Sequence, residues 1–387
     1  MRQRMEQWLQ FKRYNWKNYD FSLIIVVVLL SLFSGYVLSI IQGDDFSLKR
    51  QIVGLISGLI VVFVFSLIDY HDLCLYIPII YIVSTLMAAA TKLSPLGTDQ
   101  GTGSFRWLDF KFIVFQPSEV CKIVVVLALA TFFSRKRENL KNFKSFFLAC
   151  AIALLPTFFI LIQSDLSSSV VIIVTLVMML ACSGIGHKVL GPVAAISAPV
   201  IVFLCWYILQ PNQKLLQPYQ LSRITAWLNP SGHELGLMYQ QNNSVISIAS
   251  GKLYGKLLAE DTATRNYANV DVIESDFIWT PIGEEFGFIG CLLILLLISV
   301  IIIKCFLAAK NAKDYMGMMI AVGIGAMLCF QTFFNIGVTT SLLPNTGLPL
   351  PFLSNGLTSL LSNMMTIGIL LNIGIQPNRG SSSFEIR

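Results

Sequence analysis

Apolar runs long enough to cross a bilayer recur along this chain, and no other feature constrains its fold so tightly. A hydrocarbon core of about 30 Å needs roughly 18 or more apolar residues as a helix. Lipid offers no hydrogen bonds to an open backbone, so each run must close its own as a helix. About ten such runs are present, near residues 21–42, 51–69, 73–91, 118–134, 146–163, 168–184, 189–210, 282–303, 316–338 and 356–375. Only 12% of the 387 residues are charged, against about 25% in soluble domains. The chain therefore reads as an all-α integral membrane protein with about ten transmembrane helices.

An even number of crossings puts both termini on one side. Arg2, Arg4, Lys12, Arg13 and Lys17 precede the first run, and alternate loops hold SRKRENLKNFK (134–144) and Lys304, Lys310 and Lys313. Positive charge stays on the cytoplasmic side, so both termini are expected there. The expected organisation is a cytoplasmic N-terminal segment over 1–20, a polytopic domain over 21–375 and a cytoplasmic tail over 376–387. The N-terminal segment shows no A-x-A-like cleavage site, which argues against a removed signal peptide. The net charge of +6 reports orientation and anionic headgroups, and no nucleic-acid motif is present. Eight cysteines lie in or beside apolar runs without a C-x-x-C pair, so buried free thiols are expected. Three scattered histidines, His71, His187 and His233, do not suggest a metal site.

A large extracytoplasmic loop, 211–281, separates the seventh and eighth runs. A loop of that length is functional or disordered. Its mixture of QPYQLSRITAWLNP and NSVISIASGKLYGKLL predicts amphipathic helices lying at the outer interface.

Four segments could carry chemistry. In VIESDFIWTPIGEEFGFIG (272–290), four carboxylates precede an apolar run, Phe286 to Ile303. If the helix continues upstream, Asp276 stands about 15 Å above that run, beside Phe277, Ile278 and Trp279. Apolar neighbours raise a carboxyl pKa and make it a better base; a helix N-cap is the alternative. In FQPSEVCK, Pro117 suits a first helical turn, and Glu119 and Lys122 share a face, either as an ordinary ion pair or lining a polar cavity. In LIQSDLSSSVV, Asp165 is either an N-cap or a carboxylate facing the same cavity. In QTFFNIGVTTSLLPNTGLPLPFLSNG (331–356), Gln331 and Asn335 share a face suited to interhelical hydrogen bonds, and the Pro- and Gly-rich loop must lie in a protein-lined place.

Taken in order, RQIVG with IDYHDL, FRW with FQPSEVCK, QSDL, PYQLSRITAWLNP, YQQNNSVISIASG, SDFIWTPIGEEFGFIG and NTGLPLPFLSNG resemble the SEDS family (shape, elongation, division and sporulation). The resemblance covers nearly the whole chain. It implies a peptidoglycan glycosyltransferase that polymerises lipid II into β-1,4 glycan at the outer face of the bacterial plasma membrane. Asp276 matches the family's catalytic aspartate, and Glu119, Lys122 and Asp165 match cavity residues. Arg106, Arg223, Glu284 and Glu285 join them as cavity or substrate-binding candidates. Lys122, Arg223 or a divalent cation (Mg or Mn) would stabilise the departing pyrophosphate; no cofactor is otherwise implied. A class B penicillin-binding protein and the elongation or division machinery are the implied partners.

The chain departs from the family pattern in places. Asp271-Val272-Ile273-Glu274-Ser275 stands for the usual Pro-Glu-x-His-Thr, Ala249-Ser250-Gly251-Lys252 for Gly-Ser-Gly-Gly, Ser354-Asn355-Gly356-Leu357-Thr358 for Ser-Tyr-Gly-Gly-Ser, and Ser164 for a proline. The compact chain looks closer to the elongation type RodA than to the division type FtsW. The alternatives are a division- or sporulation-type polymerase, a flippase for lipid-linked precursors, or a scaffold with a decayed site. Transport predicts polar groups through the midplane, whereas the acids here gather at one edge.

Overall fold

Apolar helices occupy every run named above. The computed structural model describes residues 14–42, 45–98, 105–111, 114–210, 213, 218–230, 236, 238–257 and 265–377. Arg2, Arg4, Lys12, Arg13, His233 and tail residues 378–387 lie outside the described residues. Helices α1 (Phe21–Gln42), α2 (Asp45–Leu67), the short α3 (Tyr70–Leu75) and α4 (Ile77–Leu93) lead to a small antiparallel sheet of β1 (Gly97–Thr98), β2 (Trp107–Asp109) and β3 (Val114–Phe115). Then follow α5 (Pro117–Arg135), α6 (Phe143–Ile162), α7 (Leu166–Cys182) and α8 (His187–Ile208). The loop contributes α9 (Pro218–Leu228) and α10 (Tyr239–Ser250), before α11 (Trp279–Asn311), α12 (Tyr315–Thr339) and α13 (Leu357–Ile375). Eight of these are long and apolar enough to cross a membrane, and α4 and α7 are apolar helices of 17 residues.

Helices α5, α12 and α13 form the centre, with 89%, 72% and 78% of their apolar windows buried, whereas the window Gly191–Ile208 of α8 buries none of its described residues and lies at the rim. Of the cysteines, Cys74, Cys121 and Cys305 are buried in protein, but Cys182 and Cys329 are exposed. The expectation of buried thiols is corrected there: a small apolar side chain is equally at home on a face turned to lipid.

Both described chain ends meet at one end of the bundle. Asn15 N donates to Ile375 O at 2.9 Å and the Tyr14 hydroxyl to Leu67 O at 3.0 Å. Basic side chains gather at that end too: Lys304 pairs with Asp20 at 2.6 Å, and the Arg137 guanidinium lies 4.8 Å from the Tyr315 ring centre. The IDYHDL segment ties the same end together. His71 sits between Asp69 (2.7 Å) and Asp314 (2.9 Å), while Asp314 also accepts from Tyr70 and caps α12 through Gly317 N. Burial alone would lower the His71 pKa, but the two carboxylates outweigh it and raise it.

Helix α11 differs from expectation. It begins at Trp279 but breaks at Gly287, whose φ is 64° and ψ −165°, and Asp276 lies in a turn upstream rather than on a helical extension. The chain after α10 enters the break. Phe288 N donates to Lys252 O (2.9 Å) and Ile289 N to Leu253 O (3.2 Å), while Lys256 N and Leu257 N donate to the carbonyls of Glu284 (2.9 Å) and Glu285 (3.0 Å). Four backbone groups freed by the break thus find partners, as a break at membrane depth requires. GKLYG (251–255) and GEEFG (283–287) interlock through their glycines: a Cβ at Gly255 would meet Glu285 O, and one at Gly287 would meet Gly255 N.

Helices α9 and α10 match the expected loop helices, but α10 turns its polar face inward. Gln241, Ser244 and Ser247 are buried, and Val245 and Ile246 are exposed. The reason is the end of α12, where the last carbonyls lack helical partners. Gln241 donates to Val338 O and Leu343 O, both at 2.8 Å, and Ser244 to Thr339 O at 2.8 Å. Trp227 on α9 donates to Ser341 O at 3.1 Å.

Candidate active site

Asp276 sits where the turn ahead of α11 meets the loop after α12. The side-chain amide of Asn335, on α12, holds the two together by donating to Asp276 O (2.8 Å) and to Leu348 O (2.7 Å). The Ser354 hydroxyl adds a bond to Ser275 O at 2.5 Å. Glu274 completes the clamp: its carbonyl accepts from Asn355 N at 2.8 Å and its carboxylate from the Asn355 side chain at 2.9 Å. Two departures from the family pattern, Glu274 and Asn355, are therefore partners. A double-mutant cycle between Glu274→Ala and Asn355→Ala is expected to show a coupling energy of about 1–2 kcal/mol in thermal melts, as for a hydrogen bond to a charged group; additive effects would disprove the pairing.

The loop passes Asp276 at Gly347, whose φ is +75°. A Cβ there would stand 3.0 Å from Asp276 Oδ2 and 3.8 Å from Arg106 Nη1, so the carboxylate and the guanidinium flank one point. Arg106, just ahead of β2, donates from Nη2 to Ser164 O at 2.8 Å, while its buried Nε has no partner among the described residues. Ser164 has φ +65°, a conformation closed to proline, which is why the proline of the family pattern does not fit here. Arg223, on α9, donates to Asn345 O at 3.1 Å and supplies the second positive charge acting on Asp276.

Burial pushes the Asp276 carboxyl up to about 6, against the opposing pull of Arg106, Arg223 and the Ser275 hydrogen bond, and the Asp165 charge adds to the rise. Its side chain is half-buried, not sealed. Asp165 is an N-cap: Oδ1 accepts from Ser168 N and Oδ2 from the Ser118 hydroxyl, both at 3.0 Å. The two readings of Asp165 are thus not exclusive, since it caps α7 and lies within electrostatic reach of Asp276.

Glu119 and Lys122 form an ion pair of 2.7 Å on α5 with only 2% of each side chain exposed. They bond each other inside the helix core. Glu284 and Glu285 need correction as cavity residues. Glu284 is fully buried and accepts from Ser247 (2.5 Å), Ser250 (3.1 Å), Lys256 (2.6 Å), Asn266 N (2.9 Å) and Tyr267 N (2.9 Å). Glu285, equally buried, pairs with Arg265. Both carboxylates are committed to fastening the large loop onto α11, because a buried charge must be paired.

Among the described residues no group of three or more His, Cys, Asp or Glu could hold a metal ion. The carboxylates acting on one another here, Asp276 and Asp165, share their surroundings with two guanidinium groups, a donor set that fits an anion better than a divalent cation. The larger of the two described cavities, 740 Å³ between Lys17, Asp20, Lys304 and Lys313, lies at the end of the bundle where the termini meet and contains none of these residues.

Three residues of the site were not singled out for it from sequence. Asn335 was visible as a buried amide on a helical face, Gly347 as the glycine of a Pro-rich loop, and Ser118 carried no signal.

The profile of the FtsW/RodA/SpoVE family, described as cell cycle proteins, matches residues 17–379. The chain is 31% identical over 366 residues to stage V sporulation protein E of Bacillus subtilis, covering 92% of this chain and 96% of that one. It is 34% identical over 278 residues to a probable peptidoglycan glycosyltransferase FtsW of Buchnera aphidicola (71% and 67% covered). Against peptidoglycan glycosyltransferase MrdB of Escherichia coli it is 29% identical over 357 residues (92% and 93%). Among solved structures, a chain from a peptidoglycan synthase complex superposes with a TM-score of 0.76 at 25% identity, covering 92% and 97%. The rod shape determining protein RodA of Thermus thermophilus gives 0.66 at 22% identity, covering 93% and 98%, a likeness of fold. Similar identities to sporulation, FtsW and MrdB proteins do not single out a nearness to RodA.

Proposed function

The chain belongs to the FtsW/RodA/SpoVE family of multi-pass membrane proteins, and on that premise we propose that it is a peptidoglycan glycosyltransferase that polymerises lipid II. The observation that carries the proposal is the Asp276 carboxylate, poised near neutral pH beside Arg106 and Arg223. The basic end of the bundle faces the cytoplasm by the distribution of positive charge, which turns Asp276 to the outer face.

In the proposed reaction Asp276 accepts the proton of the acceptor sugar's 4-hydroxyl as that oxygen attacks C1 of the donor sugar. The bond from C1 to the pyrophosphate breaks, and the anion that leaves is met by the guanidinium groups of Arg106 and Arg223, whose forked donors suit phosphate oxygens. Asn335, Ser354 and the Glu274–Asn355 pair position the carboxylate through the backbone. A class B penicillin-binding protein would crosslink the strands, in line with the likeness to a synthase complex that coordinates polymerization and crosslinking.

Purified protein supplied with lipid II, with and without that partner, tests the proposal: polymer is expected, and lipid flipping without polymer would overturn it. Gly347→Ala is expected to reduce polymer formation by about 10²-fold, since a 1 Å displacement of a reacting group can have that effect. The added methyl needs a backbone that only glycine adopts readily and presses on Asp276 Oδ2. Wild-type rates for Gly347→Ala would remove the loop from the site.

A further inference from the structure

The cavity at the end of the bundle where the chain ends meet is built from three separate stretches of chain. It has a volume of 740 Å³, within the range of about 300–1,000 Å³ typical of ligand sites. Lys17 and Asp20 line it ahead of α1, Lys304 and Leu307 from α11 with Lys313 beyond it, and Leu371 from α13. The stretch ahead of α1 is fastened on both sides: Asn15 N donates to Ile375 O at 2.9 Å, and the Tyr19 hydroxyl to Ser66 Oγ at 3.4 Å. The charge of the cavity is unbalanced. Asp20, the one acid of the lining, is already taken, since Oδ2 accepts from Lys304 at 2.6 Å and Oδ1 from the Ser22 hydroxyl (2.6 Å) and Leu23 N (3.2 Å). Asp314, next to Lys313 in sequence, bonds His71 and Tyr70 instead. Lys17 and Lys313 therefore form no ion pair among the described residues, and both are exposed.

We infer that this cavity binds the phosphate-bearing headgroup of an anionic phospholipid from the cytoplasmic leaflet, with Lys17 and Lys313 at its phosphate. Charge is the first reason. Two unpaired ammonium groups in one cavity suit a phosphate, toward which lysine acts as a point charge. The terminal segments do not supply the missing negative charge, since 1–13 and 378–387 hold Arg2, Arg4, Lys12, Arg13, Arg379 and Arg387 against Glu6 and Glu385. Depth is the second. Trp16, Tyr19 and Phe21 follow one another beside the cavity with ring centres 5.9 and 4.8 Å apart, and Trp and Tyr mark the level of the headgroups. The wall is the third. Leu307 lines the cavity yet is 48% exposed, and Ile303, one turn away on α11, is 55% exposed, so the cavity opens toward hydrocarbon as well as toward water. A soluble phosphate would use the lysines and leave that wall idle, whereas a lipid uses both. Basic pockets between membrane helices on the cytoplasmic side suit such headgroups. The site lies at the opposite end of the bundle from Asp276 and does not depend on the chemistry proposed there.

Native mass spectrometry of the full chain in detergent tests the site by titration with phosphatidylglycerol, with phosphatidylethanolamine, and with glycerol 3-phosphate as a soluble source of the same chemistry. Phosphatidylglycerol is expected to bind more tightly than either. Lys17→Gln and Lys313→Gln should each weaken its binding about fivefold, and the double variant about 30-fold, as for lysines beside an anionic headgroup. Arginine at both positions should retain it. Lys136→Gln with Lys141→Gln removes the same charge from a cytoplasmic loop outside the cavity and should bind as the wild type does. Both lining lysines are exposed, so their variants should melt at the wild-type temperature without lipid and lose only the rise that phosphatidylglycerol brings. Equal weakening in the loop variant, or equal affinity for phosphatidylethanolamine, would reduce the effect to the general pull of a basic surface and overturn the site. Glycerol 3-phosphate binding as tightly as the lipid would overturn the lipid assignment in favour of a soluble anion.

Discussion

Asp276→Asn is expected to lower polymer formation by about 10²–10⁴-fold, the usual contribution of a general base, in a protein that remains folded. Asparagine keeps the size and the neighbours of the aspartate but cannot take a proton. The pH profile of the wild type provides an independent reading. The base works when ionised, so kcat/KM should climb about tenfold per pH unit at acid pH and level off above a pH of about 6. Stability should move in the opposite direction. Between 3.8 and about 6 the folded protein retains a proton that the unfolded chain has lost, so ionising Asp276 destabilises the fold as pH rises through that window. Above it, Asp276→Asn should be more stable than wild type by on the order of 3 kcal/mol, with the difference shrinking as pH falls toward 4. Thermal melts in detergent measure it. An Asp276→Asn protein that makes glycan at the wild-type rate would end the assignment.

Glu284→Ala is expected to have the largest effect on stability. The substitution leaves the Lys256 ammonium without its carboxylate and strips partners from Ser247, Asn266 N and Tyr267 N. Breaking a buried ion pair by removing one member costs about 3–5 kcal/mol, and the orphaned backbone donors add to it. The loss should fall first on the loop, since Glu284 joins α11 to residues 247–267. Limited proteolysis is expected to cut within residues 247–257 or 265–270 in the variant and not in the wild type, with a lowered melting temperature. Glu284→Gln, which keeps the shape and some hydrogen bonds, should fall between the two. Resistance to protease equal to the wild type would show that the loop is held by other means.

The membrane class, the positions of the apolar helices and the residues of the resemblance were legible because hydrophobic length and local motifs are one-dimensional. Helix ends proved harder. The apolar run starting at Phe286 marked where lipid begins, but α11 starts at Trp279, because hydrophobicity does not mark a helix end: glutamates are good helix formers and suit a helix N-terminus. Motif membership placed Glu284, Glu285 and Asp276 together, whereas the fold sends the first two to the loop and only Asp276 to the arginines. Glu274 had no explanation from its own surroundings. Its partner, Asn355, stands 81 residues away, and no local pattern links them.

Composition and periodicity by themselves determined that this chain lives in a bilayer as a bundle of apolar helices, since recurring runs of about 20 apolar residues are at home in hydrocarbon, and there the backbone must close its own hydrogen bonds. The motifs named Asp276 as the acid to examine. Tertiary structure alone decided which cations act on it, which carboxylates are structural, and how the broken α11 is filled by the glycine-bearing segment 251–257. Those outcomes depend on where distant backbone groups come to lie, and on the rule that in a medium without water each buried polar group must find its partner inside the chain.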